Sequence, residues 1–235
     1  VIDKEGYYTD GNRKIYADYI KTEELKSEDF ENPSNIEAGF DIKAGAKINK
    51  LILDGNVKVI EPGRTIKSDN ALVFQIGGNG GILDEEDSEN NNANNRNIAY
   101  LTGDVEIIDN NENTTIKGSV VDYIENGNRT KATISGNAEV LQNDGNMYAD
   151  IINYTENKSI STEANPQTRD IINITGIGNV RVVTEENDIR SGTAELNRII
   201  INNKNYDNIN FNENVKVSVE ELNADCDIWI MVRTP

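Results

Sequence analysis

The chain has 235 residues, enough for one large all-β domain or two ordinary ones, and its hydrophobic fraction of 36% points to a thin core. Lys plus Arg total 23 against 41 Asp plus Glu, a net charge of −18, which disfavours a nucleic-acid partner, because phosphate binding needs a basic track, and simple electrostatic docking on an anionic membrane. There is no His, which removes the commonest general base, the triads that use it and most zinc sites.

No run approaches the roughly 20 apolar residues of a membrane-spanning helix, and no signal peptide is visible. The chain opens Val1-Ile-Asp without Met, which reads as a trimmed or processed form. Its single cysteine, Cys226, has no intrachain partner and fits either redox compartment.

From Tyr7 to Thr22 an Asp10-Gly11-Asn12 turn precedes a strand, and Asp144-Gly145-Asn146 repeats that chemistry. Asp-Gly suits tight hairpins that need positive φ, so a hairpin is expected at both places. Residues 23–35 are polar, charged and hold Pro33. They read as a loop or irregular edge, with a short helix over Glu23–Asp29 as the alternative. Strand alternation resumes from Ile36 to Val59, and Pro62-Gly63 turns into the next strand. Gly77 to Asn97 loses all periodicity and reads as a mobile insertion loop, 77–97. Its glycines lack the Lys-Ser/Thr and helix of a phosphate loop. Its acids, Asp84 to Asp87, lack the ligand spacing of a calcium-binding EF-hand loop. No metal and no cofactor are therefore expected. From Ala99 onward strands alternate with turns such as Asp109 to Asn113, Glu125 to Asn128 and Glu185 to Asp188, with Pro166 in a longer connection. That spacing is the pattern of an all-β sandwich or barrel.

A unit recurs through these strands. In Met147-Tyr-Ala-Asp-Ile-Ile-Asn-Tyr154, Met147 and Ala149 share one parity while Ile152 and Tyr154 share the other. Side chains alternate faces with period two. All four share one face only if an extra residue is inserted, a β-bulge expected near Asp150-Ile151. Copies begin at Ile15, Ile66, Ile116, Met147, Ile189 and Leu222, at uneven intervals of 51, 50, 31, 42 and 33 residues. The residue two positions on is always small: Ala17, Ser68, Gly118, Ala149, Ser191 and Ala224. The next is Asp18, Asp69, Asp150 and Asp225 in four copies, and Ser119 and Gly192 in the others. Ahead of five copies stands a strand like Gly136-Asn-Ala-Glu-Val140, with relatives starting at Gly55, Gly103, Gly178 and Glu213.

This alternation of Gly-Asn-Val-x-Val with Ile-x-Ala-Asp-x-x-x-Tyr resembles the OstA-like family of lipopolysaccharide transport proteins, which includes a periplasmic bridge protein of the LptA type. The resemblance spans nearly the whole chain, most clearly residues 101–230. The first copy carries Thr22 in place of an aromatic and the last carries Asp227 at an inward offset, so the two ends depart from the pattern as caps would. The resemblance implies an open antiparallel β-jellyroll, one domain over 1–235, whose two facing sheets hold lipid acyl chains between them. It also implies a periplasmic, non-enzymatic transport module.

On that reading the groove is lined by Ile66, Val73, Ile116, Val121, Tyr123, Met147, Ile152, Tyr154, Ile189, Leu196 and Trp229. The small residues would leave room between the sheets. Lipid head groups are expected outside, near Lys58, Lys117 and Arg181, which lie on the polar parity of their strands. The terminal strands, near Tyr7–Tyr19 and Leu222–Val232, would accept other jellyroll domains by edge pairing, including a head-to-tail copy. Two other classes compete. A structural or adhesive surface repeat would suit the acidic, Asn-rich strands. A carbohydrate-active enzyme would need paired carboxylates, such as Asp122 with Glu125 or Asp225 with Asp227.

Overall fold

Apolar and polar residues alternate through runs of 13 to 15 residues, and these runs become eight long strands in the computed structural model. The structure describes residues 6–10, 12–31, 42, 45–77, 96–111, 113–143, 145–158, 169–201, 204–219 and 222–225. The long strands are β4 (Lys47–Glu61), β5 (Arg64–Gly77), β6 (Arg96–Asp109), β7 (Thr114–Asn126), β8 (Arg129–Gln142), β9 (Gly145–Asn157), β10 (Arg169–Val183) and β11 (Asn187–Ile201). Shorter strands flank them: β1 (Gly6–Asp10), β2 (Arg13–Ala17) and β3 (Tyr19–Lys26) before, and β12 (Lys204–Asn212), β13 (Lys216–Val219) and β14 (Leu222–Asp225) after. All fourteen belong to one antiparallel sheet in which sequence neighbours are mostly spatial neighbours. The expected all-β antiparallel fold is thus present.

Two branch points in the strand order have one explanation. β2 and β3 lie end to end along β4, interrupted at Asp18, while β12 and β13 lie end to end along β11, interrupted at Glu213-Asn214. Backbone hydrogen bonds brace both breaks: Asp18 N–H donates to the Gly55 carbonyl (2.8 Å) and Gly192 N–H donates to the Glu213 carbonyl (2.7 Å).

The breaks are the two ends of a line that crosses the whole sheet. Pairing registers shift at Gly55-Asn56, Gly103-Asp104, Gly136-Asn137 and Gly178-Asn179, where two residues oppose one on each neighbouring strand. The single residues opposite are Asp69, Ser119, Asp150 and Gly192, the same position of each repeat. Asp150 and Ile151 are indeed both exposed between the buried Ala149 and Ile152, as the parity shift requires. The two-against-one bulge itself is elsewhere than expected. It lies on β8 and β10, the strands that flank Asp150 on either side.

The recurrent acid has a local role at this line. Asn56 Nδ2 donates to Asp18 Oδ2 (2.8 Å), and Asn179 Nδ2 donates to Asp150 Oδ2 (2.9 Å). Ser119 Oγ, at the equivalent place, donates to the Gly136 carbonyl (3.2 Å). Except for Asp104, the residues of these four bulges run at positive φ, +82° at Gly103. A side chain at Gly103 would also lie 2.4 Å from Asp69 Cβ, so only glycine fits there.

The sheet folds along this line. The half on the side of the Pro62-Gly63 turn is the short arm, and the other half is the long arm. Inward side chains of the two arms meet beside the crease. A Cβ on Gly118 of the short arm would lie 2.6 Å from Ile134 Cγ2 of the long arm, and one on Gly176 of the long arm would touch Val180 and Met147 of the short arm. Ile134 and Ile152 are 0% exposed and Val121 and Val180 1%, a burial that one flat layer does not provide. The two facing sheets that the resemblance implies are therefore the two arms of one folded sheet. The small residues do not hold space open. Ala17, Ser68, Ala149 and Ser191 are buried in the crease, where the arms are closest. Ser68 Oγ donates to the Asn70 carbonyl (3.0 Å) and Ser191 Oγ to the Thr193 carbonyl (2.9 Å), each occupying a carbonyl beside a register shift.

Two local readings need correction. The polar stretch after Thr22 continues as strand: β3 pairs with β4 through Lys26, and a single 3-10 turn follows at Ser27–Asp29. Backbone pairing to an otherwise open edge outweighs its polar composition, and its charges suit an edge strand. Both Asp-Gly-Asn turns join antiparallel hairpins, as expected: Asp10 of β1 pairs with Arg13 of β2, and Gln142 of β8 pairs with Gly145, which is already strand in β9. Finally, a second apolar cluster, absent from the sequence reading, sits on the outer face of the long arm. Ile48, Phe74, Ile76, Ile98 and Ile124 are buried there under Phe30 and Ile42, with the Phe30 ring edge-on to Phe74 at 5.1 Å. Of the expected insertion loop 77–97, Gly77 ends β5 and Arg96 and Asn97 open β6, so strand pairing reaches into it from both sides; residues 78–95, Pro166 and the chain beyond Asp225 lie outside the described residues.

Candidate functional site

Register places the inward residues in rows parallel to the crease. Beside it on the long arm run Ile20, Leu53, Ala71, Leu101, Val121, Ile134 and Ile152, all buried at 5% exposure or less. This first row fills the fold and leaves no surface for a ligand. The second row on the long arm contains Leu51, Val73, Tyr123, Tyr154, Leu196 and Ile209, each half-buried. On the short arm an unbroken aliphatic row runs from Ile15 to Val217 through Ile66, Ile107, Ile116, Met147, Val182 and Ile189. Most of it is half-buried, and all of it packs on the main core or belongs to it.

Of the eleven residues proposed from sequence to line a groove, nine therefore belong to one apolar core or pack on it, and Val73 faces the same side by register with Leu51. Val121, Ile152 and Ile189 are buried in it, while Ile66, Val73, Ile116, Tyr123, Met147, Tyr154 and Leu196 keep part of their surface accessible. Trp229 lies outside the described residues. The accessible apolar lining is the second row of each arm, and together the two rows make a trough above a filled crease.

Past these rows the inner face turns polar, which marks the trough's rim. On the long arm Asn97 Nδ2 donates to Glu125 Oε2 (3.0 Å), and Arg198 pairs with Asp207 (2.8 Å). On the short arm Arg64 pairs with Asp109 (3.5 Å), and Gln142 Nε2 donates to Thr114 Oγ1 (3.0 Å). The Tyr123 hydroxyl is within hydrogen-bonding reach of Thr130 on its own arm and of Arg64 on the other, a polar bridge across the trough at β5 and β7. Burial pushes the Tyr123 phenol up to about 12. A group whose folded pKa lies above its unfolded value contributes stability that is fully present below the unfolded pKa and is lost as pH rises through the folded one. Stability attributable to Tyr123 should therefore decline between pH 10 and about 12. Unfolding of Tyr123→Phe compared with the parent at several pH values checks this: the difference between them should change only in that window.

The three head-group candidates occupy a different place. Lys58, Lys117 and Arg181 belong to one cross-strand row on the outer face of the short arm: Lys58, Lys67, Glu106, Lys117, Glu139, Tyr148, Arg181, Arg190 and Lys216. The sheet separates this row from the trough. Glu106 binds Lys67 (2.8 Å) and Lys117 (3.6 Å), and Asp188 binds Arg181 (2.8 Å). Hydrogen bonding from Lys67 holds the Glu106 carboxyl below its ordinary range, and Arg181 does the same to Asp188. Two of the three candidates are thus committed to cross-strand pairing, and the cations on the trough's rim are others, Arg64 and Arg198 together with Arg13, which pairs with Glu61 (2.7 Å).

The carboxylate pair Asp122 and Glu125 does not form a site. Asp122 is buried on the outward parity of β7, while Glu125 faces inward at the rim. Side chains of Asp225 and Asp227 lie outside the described residues. Among the described residues no group of three or more His, Cys, Asp or Glu is placed to hold a metal ion, and no helix is long and apolar enough to cross a membrane. Comparison with family models, curated proteins and solved structures finds no match, so the resemblance to OstA-like proteins rests on the motifs of this chain alone.

Proposed function

We propose that the chain is a non-enzymatic lipid-binding module that holds acyl chains, those of lipopolysaccharide or a related lipid, in the trough between its arms. The observation that carries the reading is the pair of facing apolar rows that remain half-buried while the first row beneath them is closed. Each methylene withdrawn from water there would contribute about 0.8 kcal/mol, with no catalytic group required. The head group would stay at the rim, where Arg64 and Arg198 supply cations already balanced by Asp109 and Asp207. A place in a periplasmic bridge to the outer membrane follows from the resemblance and belongs to the same proposal.

A fluorescent apolar probe tests it. N-phenyl-1-naphthylamine should brighten on mixing with the chain and be displaced by purified lipopolysaccharide. Leu196→Asp, which puts a charge on the accessible wall, should weaken probe affinity about tenfold or more. Brightening that lipopolysaccharide does not displace would contradict the reading. A filled β-repeat with a structural or adhesive role would then be preferred, a role that the closed first row also suits.

A further inference from the structure

The outer face of the long arm is not uniform. Over β4 to β7 it is covered by Phe30 and Ile42. Over β9 to β12 the described residues leave it bare. Its outward positions there are 151 to 157, 171 to 177, 193 to 199 and 206 to 212, taken alternately. Of these sixteen side chains only Glu195 is charged, where the chain's 27% would place about four. Of the five large hydrophobic residues that are exposed among the described residues, three lie on this face: Ile151, Ile177 and Tyr206, the last 52% exposed. Ile151 and Ile177 adjoin the crease, and Ile171, Ile199 and Tyr206 form a parallel row toward the tip.

Between the two apolar rows lie amides and hydroxyls. Asn173, Asn197 and Asn208 are directly opposite one another, with Thr155 next to Asn173 on β9. Asn210 and Thr175 lie in the adjacent row, on either side of Glu195, the one charged group on the face. Thr133 Oγ1 and Asn153 Oδ1 bond to each other at 2.9 Å. The side-chain amides of Asn173, Asn197, Asn208 and Asn210 make no hydrogen bond to another described residue. Each offers two donors and an acceptor to whatever lies on the face.

From this we infer that the outer face of β9 to β12 binds an uncharged, hydroxyl-rich glycan. Sugar hydroxyls both donate and accept, which matches the amides. The apolar C–H faces of sugar rings match the flanking Ile rows and the open Tyr206 ring. The lack of charge excludes a polyanion held by ion pairs. Four strands about 4.8 Å apart and seven residues at about 3.3 Å each give a flat footprint of roughly 400 Å². A sugar chain lies along such a strip, with its hydroxyls on the Asn row and its C–H faces on the Ile rows to either side. The inference is independent of the trough on the other side of the sheet.

Native electrophoresis of the full chain through gels containing galactomannan, dextran or xyloglucan tests it, with alginate as a charged control. Retardation in at least one neutral gel and none in alginate is expected. Tyr206→Ala and the double substitution Asn173→Asp with Asn197→Asp should each reduce retardation at least about threefold, while thermal unfolding shows the variants folded. Lack of retardation in every neutral gel would overturn the inference. So would retardation unchanged by both variants, which would place binding elsewhere. Sedimentation showing a dimer that the same variants dissolve would assign the face to a second copy and would also overturn it.

Discussion

Gly103→Ala is expected to lower the unfolding free energy by about 2–5 kcal/mol. Two costs combine. An L-residue at φ +82° pays about 1–2 kcal/mol. The added methyl would lie 2.4 Å from Asp69 Cβ, which belongs to the root of that side chain and does not swing away, so overpacking adds about 1–3 kcal/mol. Gly45 separates the two. Its φ is +81°, yet nothing lies within 4 Å of a Cβ built there. Gly45→Ala should therefore show the conformational cost alone, about 1–2 kcal/mol. Urea unfolding of both variants checks this. Equal losses would mean that the crease does not bring Gly103 against Asp69.

The second large effect belongs to the closed first row. Ile134 is 0% exposed at the meeting of the arms, against Gly118. Ile134→Ala removes three methyl(ene) groups from packed surroundings and should cost about 3–4 kcal/mol. Ile66, in the half-buried row of the short arm, already faces an accessible trough, so Ile66→Ala should cost about 1 kcal/mol. The contrast is functional as well as structural. Ile134 holds the arms together, whereas Ile66 lines the surface offered to lipid, so its loss should weaken probe binding more than it weakens the fold.

How far the chain announces this arrangement depends on whether a feature is local. The parity shift between Met147-Ala149 and Ile152-Tyr154 is local, and it correctly located a kink with Asp150 and Ile151 both outward. The Gly-Asn pairs were visible as a motif, but not as the bulge itself. That assignment needs register, because Gly136-Asn137 and Asp150 become neighbours only when β8 pairs with β9. Register also explains the outer cation row. Lys58, Lys117 and Arg181 are 59 and 64 residues apart, yet strand pairing sets them in one line on the face away from the trough. The small residues were legible as a pattern and misread as space, since their size reflects how closely the arms approach at Gly118 and Gly176. The outer cluster at Phe74 and Ile76 was not seen, because following Val73 into the core leaves the other parity of β5 assigned to solvent.

The central claim is that acyl chains enter between the arms, and capture by a photo-crosslinking residue tests it most directly. Such a residue replaces Tyr154, on the accessible second row, and in a separate variant replaces Glu139, on the outer face of the short arm. With purified lipopolysaccharide, a crosslink at 154 and none at 139 is predicted. A folded protein that crosslinks at neither position, or equally at both, would contradict a trough that carries lipid.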